Sequence, residues 1–183
     1  MQRLVSAVIG ILLLSATVLG ANSPVSKGSW KIGGSAGFSS TGGDSYGSRV
    51  SVFSLMPSAG KFISDRLLVG AAFQFTTASS GGYSSTAWGL GPSIAYYFKT
   101  EHETKRIKGS LYPFVGGSFM IAGVSAGGES STGVQFGFDG GIEYMVTRST
   151  ALDVVVSFAI GSAGGASNNV FGIGAGFSFF LWE

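Results

Sequence analysis

Two serines stand in the spacing that nucleophilic catalysis requires. Residues 33–37 and 123–127 both read Gly-x-Ser-x-Gly, the pattern of a strained strand-to-helix turn that exposes a serine nucleophile. Such a serine also needs a base within reach, and the one histidine, His102, lies in a charged segment that we expect at the opposite end of the fold from Ser125. Neither motif precedes a helical pattern, and the chain holds 31 glycines. We therefore predict that both matches are fortuitous and that the protein is not an enzyme.

Metal and cofactor chemistry has little support in the sequence. The chain has no cysteine and a single histidine, and the acidic residues Asp44 and Glu129 stand in different glycine-rich segments. Calcium sites need six or more oxygen ligands, which these two separate carboxylates do not supply. We predict neither a metal nor a cofactor.

The amino terminus has the composition of a secretory signal peptide. A basic residue, Arg3, precedes the apolar residues 4–19, and the small residues Gly20 and Ala21 follow. The apolar run is short for a membrane span and has no basic flank after it. We predict that residues 1–21 are a signal peptide and residues 22–183 a single exported domain. With 11 basic and 9 acidic residues, the chain offers no basic patch for nucleic acid.

The rest of the chain alternates large apolar residues with small ones, which is the two-residue period of a β-strand. The alternation is clearest in residues 171–182, where every second residue is apolar and those between are mostly glycine or serine. The predicted strands are residues 29–39, 49–63, 66–77, 88–98, 111–122, 134–144, 151–160 and 171–182. An apolar face towards lipid and a small or polar face towards a lumen are typical of membrane barrels, which must close because lipid cannot satisfy a free sheet edge. We predict an all-β fold, an eight-stranded antiparallel up-and-down transmembrane β-barrel.

The segments between the predicted strands fall into two alternating classes. The connections around Asp65, His102 and Arg148 carry charge, whereas residues 40–48, 78–85, 123–131 and 161–169 are rich in glycine and serine. We predict that the charged connections share the periplasmic side with the chain termini and that the others are extracellular loops. Proline within three strands predicts local bulges, because proline cannot donate to a ladder; these residues are Pro57, Pro92 and Pro113.

Aromatic residues cluster near the ends of the predicted strands, as rings do at the two interfaces of a bilayer. The predicted interfacial set is Trp30, Trp88, Tyr96, Tyr112, Tyr144 and Trp182. The phase of residues 111–122 is the least clear. We prefer the phase that turns Val115, Phe119 and Ile121 outwards, although Tyr112 and Phe114 favour the opposite one.

Four charged residues share the phase of the small residues and are therefore predicted to face the lumen: Lys31, Asp139, Glu143 and Asp153. Eight strands leave an interior that is just wide enough for side chains to fill. Charges buried there must be paired or hydrated. We predict that these residues form a polar network that braces the barrel; the alternative is that they line an ion pathway.

Several short strings resemble a known family. Residues 54–70, which read SLMPSAGKFISDRLLVG, resemble the second hairpin of small bacterial outer-membrane β-barrel proteins of the OmpA and OmpX type, and residues 91–98 and 112–117 are similar to later strands. The resemblance implies a place in the lipid bilayer of a Gram-negative outer membrane and insertion by the barrel assembly machinery. Such barrels usually end on an outward-facing aromatic residue, whereas this chain ends Trp182-Glu183.

Together these observations predict an integral outer-membrane protein with a structural or surface-interaction role and no wide pore. The predicted loops are short and rich in glycine and serine, with few charges or aromatic residues, which weakens an adhesin role. An extracellular partner stays an open alternative that the sequence does not identify. Two alternatives stay open. One is a narrow channel for small solutes or ions, and the other is a soluble exported lipocalin-like binding protein, in which the apolar face would point inwards.

Overall fold

A computed structural model describes residues 23–42, 49–99, 107–163 and 166–182. Its strands are β1 (Trp30–Thr41), β2 (Val50–Ser64), β3 (Leu67–Ser80), β4 (Tyr83–Tyr97), β5 (Leu111–Ala126), β6 (Glu129–Met145), β7 (Thr150–Ala163) and β8 (Ala166–Leu181). Each strand pairs antiparallel with the next, and β8 pairs with β1, so that the sheet closes. The structure thus confirms the predicted eight-stranded antiparallel barrel. None of the described residues forms a helix long and apolar enough to cross a membrane.

The outer wall of the barrel carries the large apolar side chains. In β6, for example, Phe136 and Phe138 are more than half exposed, whereas Glu143 on the other face is 0% exposed. In β5, Val115, Phe119 and Ile121 point outwards, which confirms the preferred phase of that strand. Because this is the reverse of a lipocalin-like arrangement, the placement of the apolar residues does not support the soluble alternative.

Two of the hairpins turn on paired glycines. Gly81 and Gly82 have φ values of 55° and 87°, and Gly127 and Gly128 have values of 59° and 88°, as the central residues of a type I′ turn require. The prediction of loops over residues 78–85 and 123–131 is wrong, because most of these residues belong to strands. β3 runs to Ser80 and β5 to Ala126, and each is followed by a two-residue turn. The serines and threonines of these segments pair across the ladder instead of forming loops. We call this end of the barrel the hairpin end.

The three strand prolines do not produce the predicted bulges. The β2–β3 and β4–β5 ladders have no paired positions at Pro57 and Pro92 respectively, yet both resume in the same register. Pro113 lies within an unbroken β5–β6 register. At Pro57 and Pro92 the ladder therefore has a local gap, and at Pro113 the strand lacks a backbone N–H donor. None of the three positions adds an extra residue to its strand. A register shift does occur in the β2–β3 ladder, but it lies between Phe62 and Ser64.

The seam between β1 and β8 is closed along only part of its length. The two strands pair at six positions, from Trp30↔Leu181 to Ser35↔Gly176, whereas β1 and β2 pair at twelve positions, out to Thr41. The closed part of the seam lies at the end that holds Trp30 and Leu181, which we call the terminal end. Towards the hairpin end, β1 and β8 are each paired on one side.

The core of the molecule lies inside the terminal end of the barrel. Its buried residues are Val25, Phe62, Tyr97, Tyr112, Phe114, Met145, Ala151 and Phe180. The residues before β1 cross this mouth: the Gly28 amide donates to Phe62 O at 2.9 Å, and the Arg66 amide donates to Val25 O at 2.7 Å. The Lys27 amide also donates to the Asp65 carboxylate at 2.8 Å. We call this assembly of residues 23–29 and the buried side chains beneath them the plug.

Candidate functional site in the barrel lumen

An ion pair crosses the lumen next to the plug. Lys31 of β1 pairs with Glu143 of β6 through Nζ and Oε1. Lys31 Nζ also donates to the Tyr97 hydroxyl of β4 at 3.0 Å, and this hydroxyl donates to Glu143 Oε1 at 2.9 Å. Glu143 and Tyr97 are fully buried, and the Lys31 side chain is 11% exposed. Three strands that are not neighbours in the sheet are therefore tied together from the inside.

Aromatic rings surround the ammonium group of this ion pair. Lys31 Nζ lies 5.4 Å from the centroid of the Phe114 ring and 5.7 Å from that of the Tyr97 ring. Distances below about 6 Å allow a cation–π attraction. The Tyr97 and Phe114 rings stack with centroids 5.4 Å apart. The ammonium group of Lys31 is thus in contact with rings that belong to the plug.

A second carboxylate lies beside Glu143. Asp153 of β7 is directly opposite Glu143 in the β6–β7 ladder, and the Ser178 hydroxyl of β8 donates to Asp153 Oδ2. Glu143 Oε2 and Asp153 Oδ1 are buried and have no hydrogen-bond partner. We call Lys31, Tyr97, Glu143, Asp153 and Ser178 the lumen cluster.

Asp139, the fourth predicted lumen residue, lies apart from this cluster. It is four residues from Glu143 on β6 and stands opposite Gly116 of β5 and Ser157 of β7. A Cβ atom added to Gly116 would lie 2.6 Å from Asp139 Oδ2, so this glycine makes room for the carboxylate. The structure therefore brings Lys31, Glu143 and Asp153 together and places Asp139 nearer the middle of the barrel.

Two members of the cluster, Tyr97 and Ser178, were not among the residues predicted to form the polar network, although Ser178 was placed in the lumen-facing phase of its strand. Both stand in the inward phase of their strands: Tyr97 lies between the exposed Tyr96 and Phe98, and Ser178 lies beside the exposed Phe177. The alternation that placed the charges therefore also carried the signal for these two residues. Their partners could not be read from it, because the pairing depends on contacts around the whole barrel.

The predicted aromatic belts are placed as follows. Trp30, Tyr96 and Tyr144 are each 46% exposed on the outer wall towards the terminal end, and Trp88 is exposed towards the hairpin end. Trp182 is half-buried against the plug. The prediction for Tyr112 is wrong: its side chain is 1% exposed and lies inside the barrel, because the even positions of β5 face the lumen. Its hydroxyl lies 3.5 Å from Ser23 Oγ.

The serine motifs and the acidic loop residues do not form a second site in the part of the chain that the structure describes. Residues 33–37 lie within β1, and residues 123–127 run from β5 into a two-residue turn, so neither forms a strand-to-helix turn. His102 and Asp44 fall outside the described residues, and Glu129 is exposed at the start of β6. Among the described residues, no three His, Cys, Asp or Glu side chains are grouped to hold a metal ion.

A closed barrel with a largely apolar outer wall and an ion pair inside its lumen is the architecture of a transmembrane outer-membrane barrel. Solved structures of outer-membrane proteins share this fold. The chain resembles neisserial surface protein A with a TM-score of 0.60 and 21% identity, over 82% of this chain and 94% of that one. It also resembles the outer-membrane protein OprG from Pseudomonas aeruginosa with a TM-score of 0.51 and 11% identity, over 88% of this chain and all of that one. Neither a family model nor a curated protein sequence matches the chain. These likenesses confirm, at the level of the fold, the resemblance to small outer-membrane barrels.

Proposed function

We propose that the protein is an integral barrel of the bacterial outer membrane with a structural or surface-interaction role, and that it does not form a wide pore. Residues 1–21 would act as the signal peptide and leave residues 22–183 as the membrane domain. We propose no catalytic role and no cofactor, because the two serine motifs lie in strand and turn backbone.

The position of the bilayer follows from the side chains of the outer wall. Exposed apolar residues run along the strands between Trp30, Tyr96 and Tyr144 at one end and Trp88 at the other. Towards the hairpin end the outward-facing residues become hydroxylic. One row that continues across β1 to β4 is Ser40, Ser51, Ser79 and Ser84. A change from apolar to hydroxylic side chains fits the upper boundary of the hydrocarbon core.

The plug is the observation that best supports a barrel without a wide pore. Residues 23–29 cross the terminal mouth, and the buried rings of Phe62, Tyr97 and Phe114 fill the space beneath them. The ion pair of Lys31 and Glu143 then bridges the lumen at the next level. A solute that entered from the hairpin end would meet this barrier before it reached the periplasm.

Planar-bilayer conductance tests the proposal. We expect the purified, refolded protein to insert without producing stable conductance steps. We also expect the double variant Asp139→Leu/Asp153→Leu to lower barrel stability while conductance stays at the baseline. Stable steps from the wild-type protein that change in size in this variant would instead establish the narrow-channel alternative.

Assembly is the remaining part of the proposal. We propose that the barrel assembly machinery inserts the chain and that it recognises Phe179 or Trp182 near the end of β8. We expect Phe179→Ala or Trp182→Ala, whichever removes the recognised residue, to lower the amount of folded barrel in outer membranes. Ser167→Ala, near the start of β8, serves as the matched control. Equal yields from all three variants would contradict recognition through this strand end.

A further inference from the structure

We propose that the barrel lumen contains a proton-binding site, in which the carboxyl groups of Glu143 and Asp153 share one proton between Glu143 Oε2 and Asp153 Oδ1. In the part of the chain that the structure describes, these two oxygens are the buried carboxylate atoms that lack a hydrogen-bond partner. Their residues stand directly opposite each other on β6 and β7, a separation of about 4.5–5.5 Å between Cβ atoms in such pairs. One hydrogen atom between them would satisfy both.

The hydrogen bonds already present determine which atom carries the hydrogen. Glu143 Oε1 accepts from Lys31 Nζ and from the Tyr97 hydroxyl, which is the environment of an ionised carboxylate. Asp153 receives one hydrogen bond, from the Ser178 hydroxyl to Oδ2, as the carbonyl oxygen of a neutral acid can. The proton therefore belongs on Asp153 Oδ1, which donates to Glu143 Oε2.

The charges inside the barrel support the same arrangement. Among the titratable groups on the inner face, Lys31 and Tyr97 contact Glu143, Tyr112 stands opposite it in the β5–β6 ladder, and Asp139 lies four residues away on β6. The buried or partly buried side chains of β2, β3 and β8 at this end are Phe62, Leu68, Ser178 and Phe180. Within the lumen cluster, one ammonium group thus stands against two carboxyl groups, and its ion pair is with Glu143. An excess of buried negative charge is costly in a medium of low dielectric constant. Neutralising Asp153 removes the repulsion between the two carboxylates that are closest in the ladder.

A proton fits this position better than a metal ion or a water molecule. No three acidic side chains among the described residues are arranged to hold a metal, and a proton needs only the two free oxygens. A water molecule could donate to both oxygens but would leave the excess charge in place. The three occupants differ in one observable, because only the proton produces a neutral carboxylic acid.

Infrared spectroscopy of the refolded barrel in detergent tests the proposal directly. We expect the wild-type protein to show the carbonyl stretching band of a neutral carboxylic acid, shifted in heavy water. The band should disappear in Asp153→Asn and persist in the matched control Asp139→Asn. Absence of the band from the wild-type protein would overturn the proposal, and its loss in Asp139→Asn rather than in Asp153→Asn would assign the proton to another residue.

A second variant keeps the test decisive if Asp153→Asn does not refold. Ser178→Ala retains every carboxyl group but removes the hydrogen bond to Asp153 Oδ2. The band should therefore move to higher frequency in this variant, since the acid carbonyl is freed. An unchanged frequency would show that the neutral acid is not Asp153. Heat-dependent gel mobility of each sample verifies that the barrel is folded.

Discussion

Removal of the Lys31 ammonium is the perturbation that probes the lumen cluster most sharply. In Lys31→Met the side chain keeps the unbranched apolar stem, one atom shorter, but loses the charge that pairs with Glu143. Glu143 is 0% exposed, so its carboxylate has no route to solvent. It keeps the Tyr97 hydroxyl as a donor, but that group carries no charge.

The expected cost follows from the asymmetry of buried ion pairs. Breaking such a pair on one side costs about 3–5 kcal/mol of unfolding free energy, whereas replacing both partners by apolar groups is often neutral. We therefore expect Lys31→Met and Glu143→Met each to lose about 3–5 kcal/mol. The double variant should be more stable than either single variant, which gives a large coupling energy.

Urea unfolding in lipid vesicles, followed by heat-dependent gel mobility, provides the four free energies of this double-mutant cycle. Lys61→Met is the matched control, because Lys61 lies on the outer wall over Trp30 at 5.5 Å. A lipid-facing charge near an interface costs roughly 0–1 kcal/mol. Two results would refute the proposed bracing role of the cluster. One is a loss of unfolding free energy in the double variant that equals the sum of the two single losses; the other is single losses as small as that of Lys61→Met.

Three further predictions follow from particular contacts. Tyr97→Phe should lower the unfolding free energy by about 1–3 kcal/mol, since the buried Lys31 and Glu143 each lose a hydrogen bond; an unchanged urea midpoint would contradict this. Gly91→Ala should destabilise the barrel by about 1–3 kcal/mol, because the new Cβ would lie 1.9 Å from Phe119 O, whereas Gly174→Ala, with nothing within 4 Å, should be neutral in the same assay. Amide hydrogens in the hairpin half of β1 should exchange faster than those of β5 in mass spectrometry, because β1 pairs with β8 only as far as Ser35, and equal protection would show that the seam is closed throughout.

The sequence predicted those features that depend on local periodicity. A strand turns alternate side chains to opposite faces, so eight alternating segments defined both the strands and the inward phase of Lys31, Glu143 and Asp153. The same reasoning separated the apolar outer wall from the lumen, and it identified the preferred phase of β5 in spite of Tyr112 and Phe114.

Features that depend on pairing between distant strands could not be predicted in this way. Serine and threonine fit both loops and exposed strand ends, so the composition of residues 78–85 concealed a continuous hairpin around Gly81 and Gly82. Tyr112 was placed at the interface because its position near a strand end was weighed above its phase. The partnership of Lys31 with Glu143 joins residues 112 positions apart, and it depends on the register around the whole barrel.

The most direct test of the account is the gel mobility of the protein extracted from outer membranes, with and without heating in detergent. A closed transmembrane barrel stays folded in cold detergent and migrates differently after heating. We predict that the protein is found in the outer-membrane fraction and that its mobility shifts on heating. A soluble periplasmic protein whose mobility is the same before and after heating would contradict the account.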